Sequence, residues 1–278
     1  MFLNIDYHIT DRCNRKCVSC GHFVPLVPTS VKHKPMDVVE ADMKELSRFP
    51  GLMKSFTITG GECTLHSNFR DCVLMAIKYF PNNTIKIVTN ATMPDKVIAL
   101  KDILMEHPNV QVIMTDYKRE NTVKVFEGLK GCPGVFKYNV EYLGDSSTQE
   151  RTKFNRAFIC EEKCTSLEEA TRCHAMTECV QLVDGKLYAC QYLAYYPYFK
   201  NYFGDDVKVN MYGDEGIELA KCSTNKEVED FIYNWIQNIC FHCLDPLRMA
   251  GKYQNIQDLC DTKYELSEWY VKSINQES

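Results

Sequence analysis

The sequence predicts an α/β protein. Residues 1–150 are expected to form a partial, open βα barrel of about five or six units, and residues 151–278 a small cysteine-rich domain with a β-hairpin and a helix. Three observations predict this: strand-like and helix-like segments alternate in the first half, the alternation stops near residues 145–155, and closely spaced cysteines follow. Alternation at this pace is typical of βαβ units around a parallel sheet.

Five segments of the first half are predicted strands because short apolar or alternating runs end at turn residues. They are residues 2–9, 55–59, 84–89, 110–115 and 135–143. Apolar residues at helical spacing predict the intervening helices at 37–49, 69–80, 95–106 and 122–129, with Asp42 as a polar residue on the first apolar stripe. Five units suit an open barrel better than a closed eight-fold one.

The second half begins with a polar segment, residues 145–172, that has no clear period. Residues 181–188 surround Asp184-Gly185, the dipeptide of a tight hairpin turn. Residues 227–239 form a predicted amphipathic helix that ends directly before Cys240.

Composition limits the function. The chain has 278 residues, a net charge of −5 and a mean hydropathy of −0.31. The charge argues against nucleic acid as a partner, and the lack of a long apolar run argues against a membrane span. Without a visible secretory signal, the 15 cysteines are expected to act in a cytoplasmic protein, in metal binding or redox chemistry rather than as a disulfide framework.

The first cysteine group, Cys13, Cys17 and Cys20, lies in a loop after the first predicted strand. Three thiolates within eight residues can hold one metal centre. A [4Fe–4S] cluster on three cysteines keeps one iron open, whereas a structural zinc site needs a fourth ligand, for which His8 and His22 are candidates.

Polar motifs also follow the next three strands. They are Gly60-Gly61-Glu62, Thr89-Asn90 and Thr115-Asp116-Tyr117. Paired glycines allow a ligand to approach backbone amides, and the carboxylate of Glu62 suits an ammonium group. Because βα barrels build active sites at the carboxyl ends of their strands, the four motifs together predict one site.

Cys13-x3-Cys17-x2-Cys20 after the first strand, with Gly60-Gly61-Glu62 after the second, resembles the radical S-adenosylmethionine (SAM) superfamily and its TIM-like partial barrel. The resemblance covers residues 1–143. It implies a [4Fe–4S] cluster on the three cysteines, the methionyl amine of SAM at Gly60, Gly61 and Glu62, and the ribose and carboxylate near Thr89 and Asn90. The sequence departs from the family at Cys63, where the usual motif has proline.

The resemblance also implies the chemistry. A reduced cluster cleaves SAM to a 5′-deoxyadenosyl radical, which abstracts a substrate hydrogen, while the protein orients the reactants and excludes water. A flavodoxin- or ferredoxin-like protein is the implied electron donor.

The second cysteine group, Cys173, Cys190, Cys240 and Cys243, suits structural zinc or an iron–sulfur cluster about equally on spacing alone. Behind a radical SAM core, the spacing resembles the twitch form of the SPASM extension. That resemblance implies one auxiliary [4Fe–4S] cluster ligated by these four cysteines, with Cys179 competing with Cys173 for the first position.

The favoured reaction is the dehydrogenation of a small molecule, because a fully ligated auxiliary cluster can accept the second electron of that oxidation. The size and cysteine placement are similar to those of short radical SAM dehydrogenases that act on sugars or aminocyclitols, so the expected substrate is a small polyol. Arg151 and Arg156 are the candidate catalytic residues for the hydroxyl proton, with Lys153 and Tyr142 as further candidates.

Two alternatives remain. One is a crosslink or epimerisation in a ribosomal peptide, for which the aromatic stretch 192–203 is a candidate groove lining, although packing between the two domains is favoured for it. The other is a non-enzymatic zinc-binding module.

Overall fold

The computed structural model describes residues 3–17, 20–28, 30–138, 158–171, 173, 178–209, 216–234, 238–244, 256–258 and 264–272. The strands in these residues are β1 (Leu3–His8), β2 (Arg15–Cys17), β3 (Met53–Thr59), β4 (Thr84–Thr89), β5 (Val110–Thr115), β6 (Val135–Tyr138), β7 (Phe158–Cys160), β8 (Val180–Val183), β9 (Lys186–Tyr188), β10 (Ile217–Glu218), β11 (Cys243–Leu244), β12 (Ile256–Asp258) and β13 (Tyr270–Val271). The helices are α1 (Met36–Leu46), α2 (Phe69–Tyr79), α3 (Pro94–Ile98), α4 (Lys101–Glu106), α5 (Arg119–Gly128), α6 (Leu167–Thr171), α7 (Gln191–Phe203) and α8 (Asn225–Tyr233).

The main sheet has the strand order β10-β9-β8-β1-β3-β4-β5-β6. The six strands from β8 to β6 in this order run parallel, and β9 and β10 are added by antiparallel pairing. The edge strands β6 and β10 are not paired with each other in the described residues, so the sheet is open. The predicted open α/β barrel is confirmed.

One face of the sheet packs against the helices. Leu3, Ile5 and Tyr7 of β1 are fully buried, and the Tyr7 hydroxyl donates to Oδ2 of Asp42 on α1 at 2.7 Å. Asp42 is thus the polar residue of the apolar stripe because it accepts a hydrogen bond from the strand beneath it.

The opposite face carries polar side chains. The register places five of them at one level across adjacent strands: Gln181, Asp6, Thr57, Lys86 and Gln111, here called the polar row. Because strands rise about 3.3 Å per residue, the row lies about 7 Å below the carboxyl end of β1.

The predicted strands of the first half agree with β1, β3, β4, β5 and the described part of β6, while residues 139–143 lie outside the described residues. The single helix predicted at 95–106 is wrong. The backbone leaves helical geometry at Ala99 and Leu100, with ψ of −7° and 7°, and α3 and α4 form instead.

The predicted hairpin is confirmed as β8 and β9. Asp184 and Gly185 both have positive φ, 48° and 76°, as a two-residue hairpin turn of type I′ requires. The sequence did not reveal that β8 pairs in parallel with β1, so the hairpin extends the main sheet.

The helix predicted at 227–239 begins as α8, with a capping box between Thr224 and Glu227. It ends at Tyr233, and residues 235–237 lie outside the described residues. The aromatic stretch forms α7, whose buried residues are Tyr192, Leu193, Tyr195, Tyr196 and Phe199, so it packs against the sheet. No helix in the described part of the chain is both long and apolar enough to cross a membrane.

Candidate active site

The first cysteine group lies at the carboxyl ends of the parallel strands. Its loop follows β1 and contains β2. A cavity of about 210 Å³ is lined by all three of these cysteines together with Gly60, Gly61 and Asn90. The structure therefore brings together the residues predicted from the first, second and third strand ends.

The thiols of this group influence each other. Burial, followed by the charge of the neighbouring Cys17, raises the pKa of Cys20 to about 12. Burial also raises the pKa of Cys13 well above its usual value, and the charges of Glu62, Cys17 and Cys20 raise it further. A positively charged iron centre would relieve this repulsion, because metal ligands bind as thiolates. The donor set and its spacing fit a cluster.

The glycine pair brings this loop close to β3. A Cβ on Gly60 would lie 2.2 Å from the carbonyl oxygen of Thr10, and one on Gly61 would lie 2.3 Å from that of Arg12. The backbone amides of Gly61 and Glu62 donate to these same two oxygens, at 2.9 and 2.8 Å. The glycines are needed for contact with the cysteine loop, a role that the sequence analysis did not assign.

Glu62 is almost fully buried and accepts hydrogen bonds from two strand ends. Its Oε1 accepts from the Thr64 amide and hydroxyl and from the Thr89 hydroxyl, at 3.1, 2.6 and 2.6 Å. Its Oε2 accepts from the Asn90 amide at 2.7 Å. Burial raises the pKa of Glu62, and these bonds oppose the rise. The network fixes a carboxylate beside the cavity.

Cys63, which stands where the family has proline, is fully buried. Its thiol donates to the carbonyl oxygen of Val88 at 3.3 Å, and burial raises its pKa well above the usual value. This neutral thiol therefore packs in the core like a small apolar residue.

The cavity lining also includes Arg15, which the predicted site left out, and Tyr117 of the fourth predicted strand-end motif. Arg15 is 4% exposed, and its guanidinium lies 5.1 Å from the centre of the Tyr117 ring. The Cys17 thiol lies 3.7 Å from the Tyr117 hydroxyl. The sequence feature that could have identified Arg15 as a site residue is its position between Cys13 and Cys17, where its cation is close to the thiolates.

The histidines considered as zinc ligands bind each other. Nε2 of His8 lies 2.6 Å from Nδ1 of His22, and Nδ1 of His8 lies 2.7 Å from Oδ1 of Asp11. Burial, followed by the charge of His8, lowers the pKa of His22 to about 3. Because both ring nitrogens of His8 are engaged, this side chain does not complete a zinc site in the cysteine loop.

The second cysteine group is assembled from three segments: residue 173, the N-terminus of α7, and residues 240–243. Burial raises the pKa of Cys190, and the charges of Cys240 and Cys173 raise it further. The pKa of Cys243 is likewise raised by burial and then by the charges of Cys190, Cys173 and Cys240. The four predicted thiols thus lie within electrostatic reach of one another, which fits a four-cysteine cluster.

Two further thiols lie near this group. Cys164 adds to the charges that raise the pKa of Cys243. Burial raises the pKa of Cys179 to about 12, followed by the charges of Asp6, Glu178 and Cys173. The Cys179 carbonyl oxygen accepts from Nε2 of Gln181 at 2.8 Å, so Cys179 lies beside the polar row.

Within the described residues, no group of three His, Cys, Asp or Glu side chains is placed to hold one metal ion.

Arg151 and Arg156, as well as Lys153 and Tyr142, lie outside the described residues. Their catalytic roles stay predictions.

Residues 7–144 match the radical SAM superfamily. The chain belongs to the radical SAM superfamily. The matched residues contain both motifs that predicted the family. Membership of this family also supports a [4Fe–4S] cluster and SAM as cofactors. The radical SAM part ends close to where the alternating pattern of the sequence ends. No match was found among curated proteins.

Solved structures extend the likeness beyond this region. The chain resembles BtrN, solved in complex with AdoMet and 2-DOIA, with 13% identity, a TM-score of 0.52, and coverage of 88% of this chain and 94% of that one. It is also similar to Streptococcus suis SuiB bound to S-adenosylmethionine, with 14% identity, a TM-score of 0.43, and coverage of 84% and 67%. At 13% identity the likeness to BtrN shows the fold alone, and its coverage of 88% of this chain extends beyond residues 7–144.

Proposed function

We propose that this radical SAM protein oxidises a small polyol, such as a sugar or an aminocyclitol, and passes the second electron to an auxiliary [4Fe–4S] cluster on Cys173, Cys190, Cys240 and Cys243. Cys13, Cys17 and Cys20 hold the first cluster. Gly60, Gly61 and Asn90 line the SAM side of the cavity, and Glu62 and Thr89 support Asn90 from behind through hydrogen bonds to Glu62. When bound, the first cluster and SAM supply a radical that removes a hydrogen atom from the substrate.

The observation that carries the proposal is the position of Cys179. Its carbonyl oxygen accepts a hydrogen bond from Nε2 of Gln181 in the polar row at 2.8 Å, and the charge of Cys173 in the second cysteine group is among the causes that raise the pKa of its thiol. A substrate on the polar row would therefore lie beside the auxiliary cluster and below the first cavity. Alcohol oxidation needs this arrangement, because hydrogen removal and electron acceptance act on one carbon.

The polar row also supports the substrate class. Nε2 of Gln181 donates to Oδ2 of Asp6 at 3.3 Å, and Gln181 accepts from the Tyr195 hydroxyl at 3.3 Å. The charge of Lys86 acts on Asp6 in the same row. Fixed acceptors beside an available donor suit vicinal hydroxyl groups.

The peptide alternative loses its main support, because the aromatic side chains offered as a groove lining are mostly buried in α7. A peptide substrate is kept as an outcome of the test below.

The proposal is tested by anaerobic reconstitution, followed by assays of iron, sulfide and 5′-deoxyadenosine with SAM and dithionite. We expect about eight irons in the wild type and about four in both Cys17→Ala and Cys240→Ala. 5′-Deoxyadenosine is expected to disappear only in Cys17→Ala. If iron stays near four and does not respond to Cys240→Ala, the auxiliary cluster and the dehydrogenase proposal are both wrong.

The substrate class is tested with myo-inositol, glucosamine and an unrelated hexapeptide, by trapping a ketone product. We expect a cyclitol or amino sugar to raise the rate of 5′-deoxyadenosine formation above the rate without substrate. Lys86→Met should reduce this ratio, the rate with substrate divided by the rate without it, at least tenfold. Lys124→Met, a surface lysine that pairs with Asp95, is the matched control. Stimulation by the peptide alone would replace the polyol proposal with the peptide alternative.

A further inference from the structure

The C-terminal part of the chain contacts the loop of the first cysteine group. Trp269 is fully buried, and its indole Nε1 donates to the carbonyl oxygen of Cys20 at 3.1 Å. The same oxygen accepts from the Phe23 amide at 3.0 Å. The third cysteine of the loop is therefore held from two sides, one of them more than 240 residues away in sequence.

Tyr192 contacts the same end of the loop. A Cβ on Gly21 would lie 3.6 Å from the Tyr192 hydroxyl, so this hydroxyl packs against the residue that follows Cys20. Tyr192 is 6% exposed and stands two residues after Cys190. Its ring also packs edge-on against that of Phe23, three residues after Cys20, with the ring centres 6.0 Å apart.

The middle of the loop is held by backbone pairing. β2 pairs antiparallel with β12, with Cys17 opposite Ile256 and Arg15 opposite Asp258. The backbone of Thr10 and Arg12 is bound to Gly61 and Glu62 of the barrel, whereas Arg15–Cys17 and Cys20 are bound to C-terminal residues.

We propose that Trp269 and Tyr192 are positioning residues of the first cluster: together they form a clamp through which the C-terminal region fixes Cys20 and Gly21. The inference rests on the proposed ligation of both clusters. A hydrogen bond to the carbonyl of a ligand residue limits rotation of its peptide plane, and thereby fixes the direction of the thiolate. Loading of the auxiliary cluster, which anchors Cys190 two residues from Tyr192, then steadies the first cluster.

The clamp is tested with Trp269→Phe, which keeps an aromatic ring and removes the N–H donor. In the anaerobic holoprotein, we expect iron release from the first site to a ferrous chelator to be about fivefold faster, the factor that matches loss of about 1 kcal/mol. Tyr264→Phe is the control, because its ring packs against that of Trp269, with the ring centres 5.3 Å apart, and the indole N–H donor is kept. Equal release rates in wild type and Trp269→Phe would overturn the clamp.

The coupling is tested with Cys190→Ala alone and in combination with Trp269→Phe. We expect Cys190→Ala to accelerate iron release from the first site. In the double variant, the release rate should be close to that of Trp269→Phe alone. Additive effects would contradict coupling through the clamp.

Hydrogen exchange of the metal-free protein separates this inference from the proposed function. Trp269→Phe should increase exchange at the amides of residues 20–23, even if Cys190→Ala removes no iron and the auxiliary cluster proposal fails. Unchanged exchange there, in a variant with a normal unfolding transition, would refute the clamp while leaving the cluster assignments intact.

Discussion

The two cysteine groups are built in different ways. The first comes from eight consecutive residues in one loop, seated on a parallel sheet by a glycine pair. The second is collected from three segments, and tertiary structure brings Cys173 and Cys190 to the pair Cys240 and Cys243. A local site depends on the close approach of two backbones, whereas a dispersed site depends on the packing of several elements.

This difference explains which parts of the site the sequence revealed. The spacing of Cys13, Cys17 and Cys20 is itself the signal for the first group, because few arrangements place three thiols so close. For the second group, the spacing favours Cys173 over Cys179 as the first ligand, and that choice stays a prediction.

Gly61→Ala should produce the largest effect in the local site. Its Cβ would lie 2.3 Å from the Arg12 carbonyl oxygen and 2.9 Å from the Cys13 Cβ, so the loop must move. We expect loss of about four irons and of 5′-deoxyadenosine formation. Iron assay and chromatography of the SAM products measure both.

Two alanine substitutions serve as controls. On the cysteine loop, a Cβ at Gly21 would make only ordinary van der Waals contacts, so the Gly21→Ala protein should keep its iron. In the second region, Gly185 has a φ of 76° with no atom within 4 Å, so Gly185→Ala should cost about 1–2 kcal/mol of stability and no iron. If Gly61→Ala retains both clusters, close backbone approach is not what defines the local site.

For the dispersed site, three single substitutions identify the first ligand. We expect Cys173→Ala to lose about four irons, because Cys173 acts on both Cys190 and Cys243. Cys179→Ala and Cys164→Ala should retain about eight. Iron loss in Cys179→Ala but not in Cys173→Ala would reverse the assignment.

The first half of the fold was predictable because burial on one face of each strand imposes a clear alternation, as in β4 and β5. The parallel pairing of β8 with β1 was not predictable, since it joins residues about 175 positions apart and leaves no local pattern. α7 was missed as a helix because it is apolar on most sides and contains Pro197.

Among the site residues, the two glycines were identified by the motif, but their contact was not. Their role depends on where the cysteine loop lies, which no spacing in residues 60–62 encodes. Arg15 was missed for the same reason, because its cavity is formed by loops from several strands.

A smaller effect is expected at the hydrogen bond between Thr89 and Glu62, which joins the motifs after β4 and β3. Thr89→Val keeps the side-chain shape but removes a donor to Oε1 of Glu62. We expect the free energy of unfolding of the metal-free protein to fall by about 1–2 kcal/mol. Thr84→Val on the same strand, which has no bond to Glu62, should change it much less.

The pH dependence of this defect has a definite sign. Burial raises the folded-state pKa of Glu62 above 4.5, so its stabilising contribution is complete below that value and is lost as pH rises through the folded pKa. Removing a donor to the carboxylate raises that pKa further. The Thr89→Val defect should therefore be larger at pH 8 than at pH 5 in urea unfolding, and an equal or smaller defect at pH 8 would contradict a role through Glu62.

The smallest effect is expected at an ion pair that joins the two regions. The Lys34 ammonium lies 2.8 Å from Oδ1 of Asp184 in the hairpin turn and 3.4 Å from Oδ2 of Asp42 on α1. The Asp42 side chain is 5% exposed and that of Asp184 is 75% exposed. Lys34→Met should cost about 1–2 kcal/mol, because it leaves a buried carboxylate without its cation, whereas Asp184→Ala should cost less than about 0.5 kcal/mol. Urea unfolding measures both values. If Asp184→Ala costs as much as Lys34→Met, the contact between the regions carries the stability and the buried pair within the barrel does not.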